Sequence, residues 1–376
     1  MAFHVADLFC GTGGFSRGFA QTGEYKTVLG VEIRDASVAT FKANHPGALA
    51  ICEDIRNVSL PSIADQLEKG AKSIDILIGG PPCQGFSSIR PFRSINEDDK
   101  RNNLFEQYVL FVNFFKPKFI VFENVVGLLH HKSGETIAQI RQVIESLGYA
   151  TDLAVLNAVH FGVPQKRERV VILGRRGKTV PWFPSPTHFH ECRGMGGKNT
   201  ITPSRLFDKD LRPAITVQDA ISDLPAVVAG ESADSYRENG AATSYTTARR
   251  KGQRILTLHS STKHTPRMLE IIKSAGKNRW ALPEGMTTSG FSSCYSRLDA
   301  DEPSTTITVN FVHPASNRCI HPTQNRALTV REGARLQGFD DDFVFCGSRT
   351  EIVKQIGEAV PPLLGNAIAT AVLEQL

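Results

Sequence analysis

The chain lacks most of what marks secreted, membrane-spanning or metal-stapled proteins. Its 376 residues hold seven cysteines, and no two of them form a Cys-x-x-Cys pair. An odd, unpatterned set of this kind points to reduced thiols in a reducing compartment rather than a disulfide framework. No apolar run approaches the ~20 residues that cross a bilayer, so no membrane span is expected. The first residues, Met1 to Asp7, carry no basic region and no signal-like core, so no secretion signal is expected either. "HFHEC" places His188, His190 and Cys192 two residues apart, which is not zinc-site spacing, and no metal is expected. Internal repeats and low-complexity tails are also missing.

What is present is an uneven charge. The net charge is +5, yet residues 177–295 hold 16 Lys+Arg against 10 Asp+Glu, so the rest of the chain is close to neutral. Within that segment, Arg249 to Trp280 contains nine basic residues and one acid, Glu270. Such a bias suits a polyanionic partner, although a solvated basic face would look the same.

Residues 1–176 alternate β-rich runs with helix-like stretches. "FHVADLF", "KTVLGVEI", "IDILIGG", "KFIVFENV" and "RVVILGR" are nearly continuous apolar strands, which implies a sheet buried on both faces. The alternation predicts an α/β fold with a doubly wound, Rossmann-like, mostly parallel sheet. After Gly177, prolines and glycines interrupt the pattern. Residues 177–295 read as a smaller irregular domain, with short helices at "TVQDAISDL" and "TPRMLEIIKSAG". Order returns at "STTITVNF" in a third segment, 296–376, where "TVREGARLQG" is helix-like and "PPLLGNAIATAVLEQL" reads as a final helix returning to the first domain.

"DLFCGTGGFS" sets Gly11, Gly13 and Gly14 between the first strand and a helix, where a backbone can turn tightly around a ligand. Glu32 ends the second strand, where an acid can take ribose hydroxyls. Asp54 follows the third on the same edge, where it could accept from an adenine amino group. NAD, FAD and S-adenosylmethionine all fit this much. Ser16 stands where the dinucleotide fingerprint has its third glycine, which weakens the NAD reading. Cys83 comes at the end of the fourth strand, behind Pro81 and Pro82, which stiffen the backbone before the thiol. Gly85 and the polar stretch 87–103 read as a loop able to close. Glu123 ends the fifth strand, and Arg167 and Arg169 alternate on one face where "QKRERVVI" enters another.

In order, these stretches are Phe9 to Gly13, Pro82-Cys83-Gln84, Glu123-Asn124-Val125 and Gln165 to Arg169, then "YSRLDADEPSTTIT", "LTVREGARLQGF" and "QIGEAVPPLL". The set resembles the cytosine-5 DNA methyltransferases, over nearly the whole chain. The resemblance implies that Cys83 adds to carbon 6 of a flipped cytosine. Glu123 would then contact N3 and the exocyclic amine, Arg167 would bind O2, and Arg169 would order the site. It implies S-adenosylmethionine as cofactor, with S-adenosylhomocysteine as product. The contacts carried over are Phe9, Gly11, Thr12, Gly14, Glu32, Ile33, Asp54, Ile55, Pro82 and Leu104. The late motif departs from the family: Glu358 replaces the usual asparagine, and it could pair with the ammonium of the cofactor's methionine end or point elsewhere.

The resemblance makes 177–295 the target-recognition domain and double-stranded DNA the partner. DNA-contact candidates are Gln84, Ser87, Arg90, Arg93 and Arg101 in the loop. Arg249, Arg250, Lys251, Arg254, Lys263 and Arg267 are the candidates in the basic stretch. A stand-alone microbial enzyme of restriction-modification type is expected: cytoplasmic, monomeric, and sharing its site with an endonuclease without a stable complex. A transfer-RNA methyltransferase on the same framework is the alternative, but its typical Cys-Phe-Thr tripeptide is missing. A non-catalytic DNA-binding relative would not need Cys83, Glu123 and Arg167 together.

Overall fold

A computed structural model describes residues 2–69, 73–82, 104–192, 194, 197–202, 210–237, 242–287 and 290–376. Seven strands make one sheet: β1 (Phe3–Leu8), β2 (Tyr25–Glu32), β3 (Leu49–Cys52), β4 (Ile76–Gly79), β5 (Phe119–Val125), β6 (Tyr149–Asn157) and β7 (Glu168–Arg176). Their order is β3-β2-β1-β4-β5-β7-β6. The first five are mutually parallel, and β7 runs antiparallel between β5 and β6.

Alternate residues of each strand feed opposite faces, as the two-residue period requires. Ile120 and Phe122 of β5 and Val170 and Ile172 of β7 enter one apolar layer, where α3 (Leu60–Lys69), α4 (Leu104–Phe115) and α5 (Glu135–Ser146) pack. Phe119, Val121, Val171 and Leu173 enter the other, against α1 (Gly14–Ala20) and a C-terminal helix considered below. The helix following β2, α2 (Asp35–Asn44), completes the alternation expected from the sequence. The doubly wound, mostly parallel α/β sheet is therefore present.

Another apolar core joins residues far apart in the chain. It gathers α6 (Val217–Ile221), Tyr236, Leu256, Leu298 and Ile307 with α9 (Val330–Leu336) and α10 (Arg349–Glu358). Between α6 and α9 lie α7 (Ser244–Arg250) and α8 (Pro266–Ser274). Charged groups are buried in and beside this core. Arg335 reaches Asp341 at 2.5 Å and Asp223 at 3.3 Å, Arg331 reaches Asp341 at 3.2 Å, and Arg326 holds Glu332 at 2.6 Å.

The last helix, α11 (Pro362–Leu373), lies against α1 at backbone distance. A methyl group on Gly18 would come within 2.3 Å of Pro362 O, and one on Gly365 within 2.8 Å of Phe15 O. Contrary to the sequence expectation, residues 349–373 are long and apolar enough by composition to span a bilayer. They form two helices instead, broken at 359–361 and mostly packed inside the protein, as core helices are. "STTITVNF" forms no strand: Ser304 makes one isolated bridge to Gln165.

Candidate active site

The carboxyl ends of β1, β2, β3, β4 and β5 open onto one cavity of about 710 Å³. That is the crevice where open α/β sheets take ligands, and the volume suits a nucleoside-sized molecule. The glycine turn forms one wall. Gly11 and Gly13 have φ of +51° and +78°, and Phe9, which a side chain disfavours there, has +58°. The turn holds together through Gly13 N–H donating to Cys10 O and through His45 Nε2, 3.1 Å from Gly13 O. Glu32 secures it from β2 by accepting the Gly11 N–H at 3.1 Å.

All eleven residues expected at the cofactor line this one cavity: Phe9, Gly11, Thr12, Gly14, Glu32, Ile33, Asp54, Ile55, Pro82, Leu104 and Glu358. Asp54 caps a short helical turn and is engaged by the Arg56 guanidinium, whose hydrogen bonds hold its pKa below the ordinary value. Glu358 is paired with Arg34 at 2.5 Å.

Sequence reasoning passed over Asp7, Arg34 and Asn124. Asp7, the last residue but one of β1, lies beneath the cavity, fully enclosed, and its Oδ2 has no partner. Burial raises its pKa from 3.8 to about 7, against hydrogen bonds from Ser16 that lower it. Thr12 Oγ1 is also buried without a partner. An acid in an otherwise apolar strand, four residues before Gly11, was the available signal for Asp7. Five carboxyl side chains besides Asp7 (Glu32, Glu53, Asp54, Glu123, Glu358) against the guanidinium groups of Arg34 and Arg56 make the cavity acidic. Unpartnered polar atoms and this sign of charge fit a cationic, hydroxyl-bearing ligand such as S-adenosylmethionine.

Glu123 and Gly80 line the same cavity, which joins the residues expected at the cofactor to a second group. The Glu123 carboxylate is buried and meets Arg169 Nε at 2.8 Å. Beside it, Asn124 Nδ2 donates to Pro81 O at 2.8 Å, fastening the segment that leads to residue 83. Gly80 leaves room for the acid: a methyl group there would lie 2.8 Å from Glu123 Oε2.

The two arginines have different partners. Arg167 is wholly buried and donates to the carbonyls of Ile307 and Gly357 at 3.1 Å each. Burial, with Arg169 beside it, pulls its pKa down. It ties the entry of β7 to α10 and to the 304–311 segment. Arg169, one register step inside β7, is the arginine on Glu123. Alternation puts both on one face, but it cannot say which of them faces the carboxylate.

Of the DNA candidates, Arg249 turns inward onto Asp340 at 2.6 Å. That acid also draws Lys251 to 3.5 Å and Arg17 of α1 to 3.8 Å. Arg250 lies over the Tyr236 ring at 3.9 Å. The side chains of Lys251, Arg254, Lys263 and Arg267 are exposed. Cys83, Gln84, Ser87, Arg90, Arg93 and Arg101 lie outside the described residues. The "HFHEC" side chains have separate partners. His190 pairs with Glu302 at 2.9 Å, His188 Nδ1 lies 2.9 Å from Thr187 Oγ1, and Cys192 sits 3.8 Å from His160. Burial raises the Cys192 thiol's pKa, which disfavours the thiolate a nucleophile needs.

An open α/β sheet thus carries an acidic, nucleoside-sized cavity at its strand ends, with a carboxylate in the wall held by an arginine behind it. The model of the C-5 cytosine-specific DNA methylase family matches residues 3–374. The chain is 36% identical over 378 residues to the type II methyltransferase M1.HphI of Haemophilus parahaemolyticus, covering 100% of this chain and 87% of that protein. It is 33% identical to M.AgeI of Thalassovita gelatinovora, covering 97% and 98%. Among solved structures, a chain assigned as an E. coli prophage DNA modification methyltransferase superposes with a TM-score of 0.72 at 26% identity, covering 99% of both chains. The chain therefore belongs to the C-5 cytosine-specific DNA methylases. It is a DNA (cytosine-5)-methyltransferase, which uses S-adenosylmethionine and a covalent cysteine adduct to methylate carbon 5 of cytosine in DNA.

Proposed function

We propose that Cys83 is the nucleophile and that Glu123 and Arg169 form the wall against which the cytosine is held. The observation that carries this reading is Glu123, which lines the same cavity as the eleven residues expected at the cofactor, is held from behind by Arg169 at 2.8 Å, and adjoins Asn124, which is bonded to the backbone just before Cys83. The cytosine leaves the stack to reach it. The Cys83 thiolate forms a bond to carbon 6, and the ring electrons move to carbon 5. Glu123, at N3 and the exocyclic amine, stabilises the proton gained at N3. Arg169, beside Glu123, takes the O2 role that the sequence reading gave Arg167, and Arg167 serves as a structural tie. Carbon 5 bonds the methyl carbon as that carbon's bond to the cofactor sulfur breaks, with S-adenosylhomocysteine as the leaving group. The carbon 5 proton passes to a base, N3 gives back its proton, and the Cys83–carbon 6 bond breaks to release the thiolate and restore the 5,6 double bond.

The cavity residues that would hold the cofactor are Glu32 for the ribose, Ile33 and Ile55 for the adenine faces, and the Gly11–Gly14 turn for the amino-acid end. When bound, S-adenosylmethionine supplies an electrophilic methyl group. We assign catalysis to residues 1–176 and recognition of a specific duplex sequence to 177–295, with 296–376 returning to the first unit. The exposed Lys251, Arg254, Lys263 and Arg267 would contact the duplex; cationic side chains at such a surface mainly neutralise phosphates. We place the enzyme in a microbial cytoplasm, acting as a monomer in a restriction-modification system, with an endonuclease that shares its site without a stable complex.

Labelled S-adenosylmethionine offered with duplex DNA tests the assignment. Cys83→Ser is expected to abolish transfer, while Cys192→Ser retains it. The reverse pattern would overturn the choice of nucleophile.

A further inference from the structure

Glu358 closes α10, and Arg34 is the N-cap residue of α2. Their side chains meet at the cavity, Arg34 Nη2 to Glu358 Oε2 at 2.5 Å, and both are 44% exposed. Arg34 turns its other edge to Glu32. Its Nε donates to Glu32 Oε1 at 3.2 Å, and its main-chain N–H donates to the same oxygen at 3.1 Å. Glu32 Oε2 accepts only the Gly11 N–H among the hydrogen bonds described. A carboxylate oxygen offers about two acceptor directions. Oε1 is thus filled, and Oε2 keeps one direction for a ligand hydroxyl.

Charge supports the same arrangement. In an acidic cavity a lone Glu358 would add one more repelling carboxylate, and Arg34 neutralises it. We propose that Glu358, Arg34 and Glu32 form a positional relay: Glu358 fixes Arg34, Arg34 fixes Glu32, and Glu32 presents Oε2 to the ribose of the cofactor. Glu358 acts on the cofactor through Arg34 and makes no contact with its methionine end. This deepens the cofactor site proposed above and rests on it. Arg34 and Glu358 are positioning residues.

The two possible roles of Glu358 separate in a double-mutant cycle read by binding. Calorimetry would give Kd for S-adenosylhomocysteine and for adenosine with the wild-type chain, Arg34→Met, Glu358→Gln and the double variant. Each single change is expected to weaken S-adenosylhomocysteine roughly two- to fivefold, the scale of a half-exposed ion pair. Adenosine is expected to weaken by the same factor, because the relay ends on the ribose. The double variant is expected to match Arg34→Met. Additive losses, a loss confined to S-adenosylhomocysteine, or no loss in Glu358→Gln would each overturn the relay. A wild-type chain that binds neither ligand would overturn the cofactor site itself. Both altered side chains are half exposed, and circular dichroism of each variant checks that it is folded.

Discussion

Replacing Asp7 by Asn tests the reading of the cavity floor. Asp7 is enclosed near the end of β1 with one unpartnered oxygen, and burial lifts its pKa from 3.8 to about 7. Between those two pH values the folded chain keeps the Asp7 proton and the unfolded chain has lost it. The native state binds more protons there, so stability falls as pH rises through the window, with the full cost present above pH 7. At about 1.4 kcal/mol per pH unit the gap corresponds to roughly 4 kcal/mol. An asparagine keeps the shape and cannot ionise. The stability of Asp7→Asn relative to wild type is therefore expected to grow by roughly 2.5 kcal/mol between pH 5 and pH 8. Urea unfolding of both proteins at pH 5, 6.5 and 8 measures this. Buried histidines such as His45, lowered to about 4 by burial, titrate in both proteins and cancel in the comparison. A difference that stays constant with pH, or a variant less stable at pH 8 than at pH 5 relative to wild type, would refute an enclosed, ionisation-averse Asp7.

Two further outcomes follow from contacts at the site and beneath it. Gly80→Ala places a methyl group against Glu123 Oε2 and displaces the carboxylate from Arg169. kcat on duplex DNA is expected to fall roughly 10- to 100-fold, the upper figure being the cost of a misplacement of about 1 Å, while calorimetry shows S-adenosylhomocysteine affinity nearly unchanged. Asp341→Ala takes from buried Arg331 its carboxylate partner, leaves Arg335 with Asp223 alone and removes the acceptor of Tyr236 OH. An uncompensated buried charge of this kind is expected to lower stability by about 3–5 kcal/mol in urea unfolding.

The sheet was legible because its strands are short apolar runs punctuated by helix-period stretches, and that pattern depends on local sequence. The glycine turn and the acids at strand ends were legible for the same reason. α7 and α10 were not foreseen, although Thr243 with Thr246 and Ser348 with Glu351 form capping boxes that mark their starts. Partner choice was not legible. Arg167 and Arg169 differ by one alternate step, and only the arrival of Ile307 and Gly357 from distant segments decides which guanidinium is buried. Arg249 looked like a free cation because Asp340, which captures it, is 91 residues further on. Glu358 could be placed at the cofactor wall, but its partner Arg34 comes from the opposite end of the chain.

The backbone-close packing of α1 on α11 sets an order of events during synthesis. Phe15 and Phe19 of α1 are covered by α11, and the cavity needs Gln355, Glu358, Ala359 and Val360 as well as the glycine turn. The two halves of that wall are separated by some 340 residues of translation. At about 5–20 residues per second the first half waits roughly 17–70 s for the second. Until then an apolar helix face and an unfinished acidic pocket stand open on the nascent chain. A chain released early would carry the glycine turn, yet it could neither bury α1 nor bind cofactor.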